Sequence, residues 1–494
     1  MHNTAPTNDA PTQSAKPSEG ISAVGTATSA DAGGSTHERR AAGLAVLKQR
    51  FGEQVSTGAS VRQQHAHSTS WLANEPADAV VFATTEQDVI DTLGIARAYQ
   101  LPIIPFGAGT SLEGQVNAPD GGICIDLSAL NEIKAVNDLD LDCVVGPGVT
   151  RKRLNDHLRD RGLFFPVDPG ADYASLGGMA STRASGTTAV RYGTMRDNVL
   201  SLRAVLANGD VVTTARRARK TSAGYDLTHL LVGAEGTLGI ITELTLRLYG
   251  IPETTAAAAC PFDSIEGACN TVIQAIQLGL GGIARIEFLD ALQVRACNEY
   301  SKLTLSETPT LFIEVHGTPA SARDTIAQFK ELALGEGAFS FDWAEATEDR
   351  NRLWQARHDA YWAARALQPT ANAVATDVCV PISRLAECVT ETHADIAAHG
   401  LQCPIVGHVG DGNFHALPLV NMDDPADVAR TEAFLERLVE RALEMGGTCT
   451  GEHGIGQGKR KYLRREHGDG AVDMMRTVKT ALDPDNLLNP GKIF

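Results

Sequence analysis

Histidines at 408 and 415 close the two ends of the segment HVGDGNFH, and Asp411-Gly412 sits at its middle. Asp-Gly is a strong signal for a two-residue hairpin turn. Counted outward from that turn, Gly410 faces Asn413, Val409 faces Phe414 and His408 faces His415. Directly opposed residues hold their Cβ atoms about 4.5–5.5 Å apart. Two imidazoles at that spacing can bind one metal ion. Glu452 and His453 follow in a glycine-rich loop nearer the C-terminus. Together, His408, His415 and Glu452 read as a divalent-metal site. Two histidines and a carboxylate suit Zn²⁺, and Mn²⁺ or Fe²⁺ accept the same set. With a metal-bound water, such a site would serve a zinc-dependent hydrolase.

The elements around these residues have mixed character. Residues 38–51 read as a helix with Leu44, Val46 and Leu47 inward. A strand over 79–83 is followed by a helix to Tyr99, with Thr85 as its N-cap and Val89, Ile90, Leu93 and Ala96 as its buried face. Residues 101–105 form the next strand, a β-α-β start. The segment PFGAGTSLEG at 105–114 then turns on glycines, which let backbone N–H groups approach an anion. It lacks the Gly-Lys-Ser/Thr of a P-loop. Further strands are expected at 123–127 and 143–145, and a helix at 151–161. Small-residue turns recur at 167–170, 175–179, 184–186, 191–193 and 233–241, which suggests one extended ligand lying against many backbone segments. Past residue 255 the texture changes to a helix at 264–280 and a strand at 311–315. A long amphipathic helix spans 425–445, with Asp424 as N-cap, Pro425 at its first position and Gly446-Gly447 at its end.

Composition bounds the function. With 494 residues, two or three domains are expected, and 43% apolar content with 47 glycines suits a turn-rich mixed protein. A formal charge of −17 argues against nucleic acid as a partner and against a basic lipid-binding face. No run of 18 apolar residues suggests a membrane span. The nine cysteines are dispersed without a CxxC pair, as for reduced thiols. Residues 1–36 are rich in Ala, Ser, Thr, Gly and Pro and read as a disordered tail.

Several stretches, in order, resemble FAD-linked 2-hydroxy-acid dehydrogenases and oxidases of the vanillyl-alcohol-oxidase type, above all the cytochrome-linked D-lactate dehydrogenases. They are PFGAGTSLEG, DPG, SLGGMASTRASGTTAVRYGTMRDNV, GAEGTLGIIT, GHVGDGNFH, GEHGIGQGKRKYL and LDPDNLLNPGKIF. The resemblance runs from about residue 40 to the C-terminus. It implies an α+β fold: a two-part FAD-binding domain over 37–254, a substrate or cap domain with an antiparallel sheet and helices over 255–445, and a segment over 446–494 that returns to the FAD domain.

The same resemblance implies where FAD lies. Its contacts would be Pro105, Phe106, Gly107, Ala108, Gly109, Thr110, Ser111 and Gly114, then Pro169, Gly170, Ser175, Gly177, Gly178, Thr182, Ser185, Gly186 and Tyr192. Glu235, Gly236, Ile240 and Ile241 match the adenine side, and Asn489 is expected near the flavin. Residues 105–114 contain no His or Cys, so the FAD is expected to be non-covalent. Arg357 matches a carboxylate-binding arginine, with Arg350, Arg352 and Arg365 as nearby rivals. The metal set is His408, His415 and Glu452, and His453 matches the catalytic base. Lys459, Arg460 and Lys461 read as a solvated basic run.

The implied reaction is oxidation of a small D-2-hydroxy acid to the 2-oxo acid. In the family it resembles, members acting on dicarboxylates place a basic residue just before the position of Asp377; residues 374–376 carry no Lys or Arg here, which favours lactate over 2-hydroxyglutarate. A D-2-hydroxyglutarate dehydrogenase, a glycolate oxidase FAD subunit and a non-catalytic subunit remain alternatives at this point. The implied partners are the hydroxy acid and an electron acceptor such as cytochrome c, a quinone or an electron-transfer flavoprotein, with a homodimer as one assembly. The expected setting is the cytoplasm or, peripherally, an inner membrane.

Overall fold

The computed structural model describes residues 35–494. The expected tail lies outside the described residues except for its last two. Ser35 is already a helix N-cap, accepting from Glu38 N–H while the Glu38 side chain caps it in return, so the first helix spans Thr36–Phe51.

The architecture is α+β, built on three main sheets. The first orders Val55–Ser56, Ala79–Phe82, Ile123–Asp126 and Ile103–Phe106, and its last three strands are parallel. A parallel neighbour needs a crossover, and the helix Glu86–Tyr99 is part of it. Thr85 and Asp88 form its capping box, while Val89, Leu93 and Ala96 turn inward with the strand residues Ile103, Ile123 and Ile125. The second sheet is antiparallel, in the order Ile133–Asn137, Asp142–Val145, Ile240–Arg247, Val199–Val205 and Val211–Thr213. The C-terminal segment lies against the first sheet: Ile103 N–H donates to Leu487 at 2.7 Å and Asn489 N–H to Ile103 at 2.7 Å.

The third sheet has seven antiparallel strands, in the order Asp342–Ala344, Thr254–Pro261, Thr310–Gly317, Ile283–Leu289, Ile405–Gly407, Asn413–Ala416 and Val378–Cys379. Side chains alternate between its faces. Ile286, Phe288, Leu311 and Ile313 pack on one side with the helices Ile265–Gln277, Pro319–Gly335, Leu385–Ala398 and Pro425–Glu444. The opposite face packs Leu289, Phe312 and Val406 on Trp354, Ala356 and Ala360. That second face carries charge at alternate positions: Arg285 and Glu287 on one strand, Glu314 and His316 on the next.

The expected hairpin forms with a different register. Val406 faces His415 and Ile405 faces Ala416, so His408 and His415 are not directly opposed. The cause is the turn. A 3-10 turn over Val409–Asp411 and a left-handed Gly412 (φ 79°) replace a tight two-residue loop. The shift is two residues, an even number, so both imidazoles keep the same face. Their ring centroids are 5.2 Å apart.

Candidate active site

The strand Ile103–Phe106 runs into the glycine loop, and the loop meets the N-terminus of the helix Leu176–Thr182. Ser175 caps that helix by accepting from Gly178 N–H. A Cβ on Gly107 would stand 2.1 Å from Ser175 Oγ, so only glycine allows this approach. Between these elements lies a cleft of about 1150 Å³ counting its mouth. Pro105, Phe106, Gly107, Ala108, Gly109, Thr110, Ser111, Pro169, Ser175, Gly177, Gly178, Thr182, Glu235, Gly236, Ile240, Ile241 and Asn489 line it, and so do Glu452 and His453. The glycine loop and the loop carrying Glu452 and His453 therefore share one cavity. Its walls also include Gln115, Pro147, Met179 and Gly239, which were not among the expected FAD contacts.

Five expected contacts do not line this cleft. Gly114 is packed under the C-terminal loop, where a Cβ would meet Gln457 Oε1 at 2.7 Å. Gly186 backs onto Asp168, whose carbonyl oxygen would lie 1.6 Å from a Cβ. Gly170 (φ 74°) stands at a bend, and Ser185 in irregular backbone past the helix Leu176–Thr182. Tyr192 points away: its hydroxyl bonds His316 Nδ1 at 2.7 Å, and its ring packs on Phe164 and Tyr249. Glu235 has a second task. Its carboxylate accepts N–H from Ile455 (2.6 Å) and Gly456 (2.8 Å), and burial raises it to about 7.

The cleft holds buried polar atoms without partners: Ser111 Oγ, Asn489 Oδ1, Glu452 Oε2 and His453 Nδ1. An unmet buried polar atom is costly. Four of them along one cavity fit a polar ligand spanning the loop and the metal-site end.

The end that carries His408, His415 and Glu452 is built on the charged face of the seven-stranded sheet. Glu452 Oε1 lies 3.2 Å from His408 Nε2 and 3.3 Å from His415 Nε2. The other ring nitrogens are held from behind. His415 Nδ1–H donates to the Thr376 carbonyl at 2.7 Å. His408 Nδ1–H donates to Glu287 at 2.8 Å. Phe288 pairs with Gly407, so continuing that register places Glu287 opposite His408. A histidine that donates one ring N–H to a carboxylate or carbonyl presents the other nitrogen to a metal. His408, His415 and Glu452 thus fit a divalent ion by donor chemistry and by their second contacts. His453 stacks on His415 at 5.2 Å and 7° between planes.

The electrostatics divide the imidazoles. Burial opposes charge on His408, yet Glu287 and Glu452 raise it to about 10, and a metal at Nε2 would displace that proton. Burial pushes His453 down to about 4, against the pull of Asp377. His453 is therefore a neutral imidazole near pH 7. Glu452 is buried, yet His408 and His415 hold it well below the usual carboxylate range.

Arg357 comes from the helix Thr347–His358, on the same face of the sheet. Its Nε donates to Glu287 at 2.6 Å, and no hydrogen bond among the described residues engages its two Nη groups. Its rivals are placed differently: Arg350 donates to Glu345 and Thr347, Arg352 is exposed beside Asp349, and Arg365 lies over Trp362. Glu287 thus joins Arg357 to His408. It was missed as one acid in an apolar strand, and its signal was a charged residue in a run of core positions.

Lys459 does not belong to a solvated run. It is 8% exposed, while Arg460 and Lys461 face solvent. The loop 454–458 buries it by packing against the glycine loop, where Glu113 carbonyl accepts from Gln457 N–H at 2.7 Å.

Residues 77–215 match an FAD binding domain model, and residues 251–493 match a model of the C-terminal domain of FAD linked oxidases. A probable D-lactate dehydrogenase, mitochondrial, of Danio rerio is 53% identical over 90% of this chain and 89% of its own. A D-lactate dehydrogenase [cytochrome], mitochondrial, of Arabidopsis thaliana is 46% identical over 84% of this chain and 73% of its own. In fold, the chain superposes on 4-ethylphenol oxidase from Gulosibacter chungangensis with a TM-score of 0.76, at 18% identity over 92% of this chain and 97% of that one. With one cleft joining a glycine loop to a His/His/Glu centre, and a relative matching along nine-tenths of its length, the chain belongs to the FAD-linked oxidases of the vanillyl-alcohol-oxidase type.

Proposed function

We propose that this protein oxidises D-lactate to pyruvate with FAD, and passes the electrons to a cytochrome or other carrier. The observation that supports this most is the shared cleft: Glu452 and His453 line the same cavity as Gly107 and Ser175. The glycine loop, the helix beginning at Leu176 and Asn489 would hold a non-covalent FAD. When bound, that flavin supplies the acceptor for the hydride from the substrate Cα. His408, His415 and Glu452 would hold Zn²⁺ or Mn²⁺, which when bound supplies Lewis acidity toward the substrate hydroxyl.

The chain's own residues do the rest. Arg357 binds the substrate carboxylate through its open Nη edge, since a guanidinium fork matches a carboxylate. Glu287 fixes that guanidinium from behind. His453, neutral at pH 7, takes the proton from the substrate hydroxyl oxygen. Lack of a basic side chain at Val374, Ala375 and Thr376 supports a monocarboxylate over 2-hydroxyglutarate. The domain division at about 254 and 445 and the choice among cytochrome c, quinone and flavoprotein acceptors are part of the same reading, as is a peripheral or cytoplasmic setting. No helix among the described residues is long and apolar enough to cross a membrane.

The test is Arg357→Ala. Its flavin absorbance should match that of the wild type, while anaerobic D-lactate no longer bleaches it. Bleaching at the wild-type rate would remove Arg357 from the site.

A further inference from the structure

Three buried charges lie between the glycine loop and the metal-site loop. Glu113 closes the glycine loop, Lys459 ends the C-terminal loop, and Asp377 precedes the strand Val378–Cys379. They are 7%, 8% and 1% exposed. Lys459 Nζ is 3.2 Å from Glu113 Oε1 and 3.7 Å from Asp377 Oδ2, and it donates to the Asp377 carbonyl at 3.0 Å. Asp377 Oδ2 in turn accepts N–H from Glu452 (2.8 Å) and His453 (2.9 Å), and the Thr450 hydroxyl at 2.7 Å. Asp377 Oδ1 accepts from Asn413 Nδ2 at 2.7 Å. The chain of contacts therefore runs from the loop expected to hold flavin, through one ammonium, to the backbone of Glu452 and His453.

We propose that Lys459 and Asp377 are positioning residues that set Glu452 and His453 relative to the flavin loop. The proposal rests on the function proposed above. Its physical basis is the cost of burying charge. An ion enters a low-dielectric site only when paired and hydrogen-bonded, so this cluster tolerates one arrangement of the three segments. The Asp377 carboxylate is taken up by the backbone N–H groups of Glu452 and His453 and by the Thr450 and Asn413 side chains. Asp377 Oδ2 already takes three donors, which fits a clamp on the loop. Glycines close the joint: a Cβ on Gly456 would stand 2.1 Å from the Glu113 carbonyl, and one on Gly458 2.4 Å from its carboxylate. Polar groups that orient the ligands of a metal alter affinity or activity by roughly 10–100-fold when removed.

The experiment is a double-mutant cycle on flavin-loaded protein with Lys459→Met, Glu113→Gln and the pair together. The double variant removes one charge of each sign, which keeps a folded protein in hand if Lys459→Met fails to fold. Two quantities are read per bound flavin: the first-order rate of flavin reduction at saturating D-lactate, and Mn²⁺ affinity by titration followed by electron paramagnetic resonance. Lys459→Met and the double variant should lose roughly 10–100-fold in both, with the Kd for D-lactate and the flavin spectrum near those of the wild type. A variant that only melts lower, with wild-type reduction rate and Mn²⁺ affinity per flavin, overturns the proposal. Wild-type protein that binds no Mn²⁺, or whose flavin D-lactate does not reduce, overturns the functional reading instead, and the proposal falls with it.

Discussion

Replacing Glu287 with glutamine should damage two functions through one side chain. Glu287 is fully buried and uses both carboxylate oxygens: Oε1 accepts from His408 Nδ1–H at 2.8 Å, and Oε2 accepts from Arg357 Nε–H at 2.6 Å. Glutamine has nearly the same shape but a single acceptor oxygen. Its NH₂ must face either His408 Nδ1–H or Arg357 Nε–H, donor against donor. It also leaves a guanidinium in the protein without its counter-charge. Breaking a buried pair this way costs about 3–5 kcal/mol, against a stability of roughly 5–15 kcal/mol for a folded domain. The variant should therefore melt well below the wild type yet remain folded. Losing the contact behind a metal-ligating histidine costs a further factor of about 10–100 in metal affinity or turnover, or roughly 1.4–2.7 kcal/mol at tenfold per 1.36 kcal/mol. The assays are differential scanning calorimetry, Mn²⁺ titration and steady-state D-lactate oxidation on the same preparation. A Glu287→Gln protein with wild-type kcat/KM and wild-type Mn²⁺ affinity would refute the claim that this carboxylate orients His408 and Arg357.

Other outcomes follow from single contacts. Gly107→Ala forces the new Cβ into Ser175 Oγ at 2.1 Å, so the protein should purify with little or no flavin, measured as the 450 nm to 280 nm absorbance ratio (~0 against a normal holoenzyme value). His408→Ala should lose bound metal and D-lactate turnover together while flavin absorbance stays; elemental analysis showing full metal content would count against the ligand assignment. His65 supplies a pH test away from the metal site. Burial opposes its charge, yet Asp126 at 3.0 Å and the Val61 carbonyl raise it above the ordinary histidine value of 6.5. A raised folded value adds stability that is complete below 6.5 and fades as pH rises through the folded value. His65→Leu should therefore lower Tm more at pH 5.5–6 than at about pH 9, and an equal drop at both would contradict the charged pair.

The flavin half was legible because backbone geometry constrains residue type directly. Gly107 leaves room for the Ser175 hydroxyl, Thr85 caps its helix, and glycines recur along the cleft. The three metal-ligand candidates were legible for a similar reason, since few other roles put two histidines and a glutamate beside glycines. Their register was not. Asp411-Gly412 signals a tight turn, but a 3-10 turn precedes the left-handed Gly412, and the sequence around it allows either. The buried charges were the largest gap. Glu287 is the one acid of its strand and Asp377 precedes a two-residue strand, and their partners come from residues 357, 408 and 450–459. Long-range pairing of that kind leaves no local pattern. Lys459 shows the same limit: three consecutive basic residues look alike until the fold turns one of them toward Glu113 and Asp377.

The central claim is that a flavin held in the cleft, a metal held by His408, His415 and Glu452, and the Arg357 guanidinium act together to oxidise D-lactate. The most direct measurement is anaerobic titration of the purified flavin-loaded protein with D-lactate, followed by absorbance, before and after metal removal with a chelator. The account predicts rapid bleaching of the oxidised flavin by D-lactate, no bleaching by L-lactate, loss of the response in chelated protein and its return with Zn²⁺ or Mn²⁺. Full bleaching by D-lactate in metal-free protein, or a flavin that D-lactate never reduces, would contradict it.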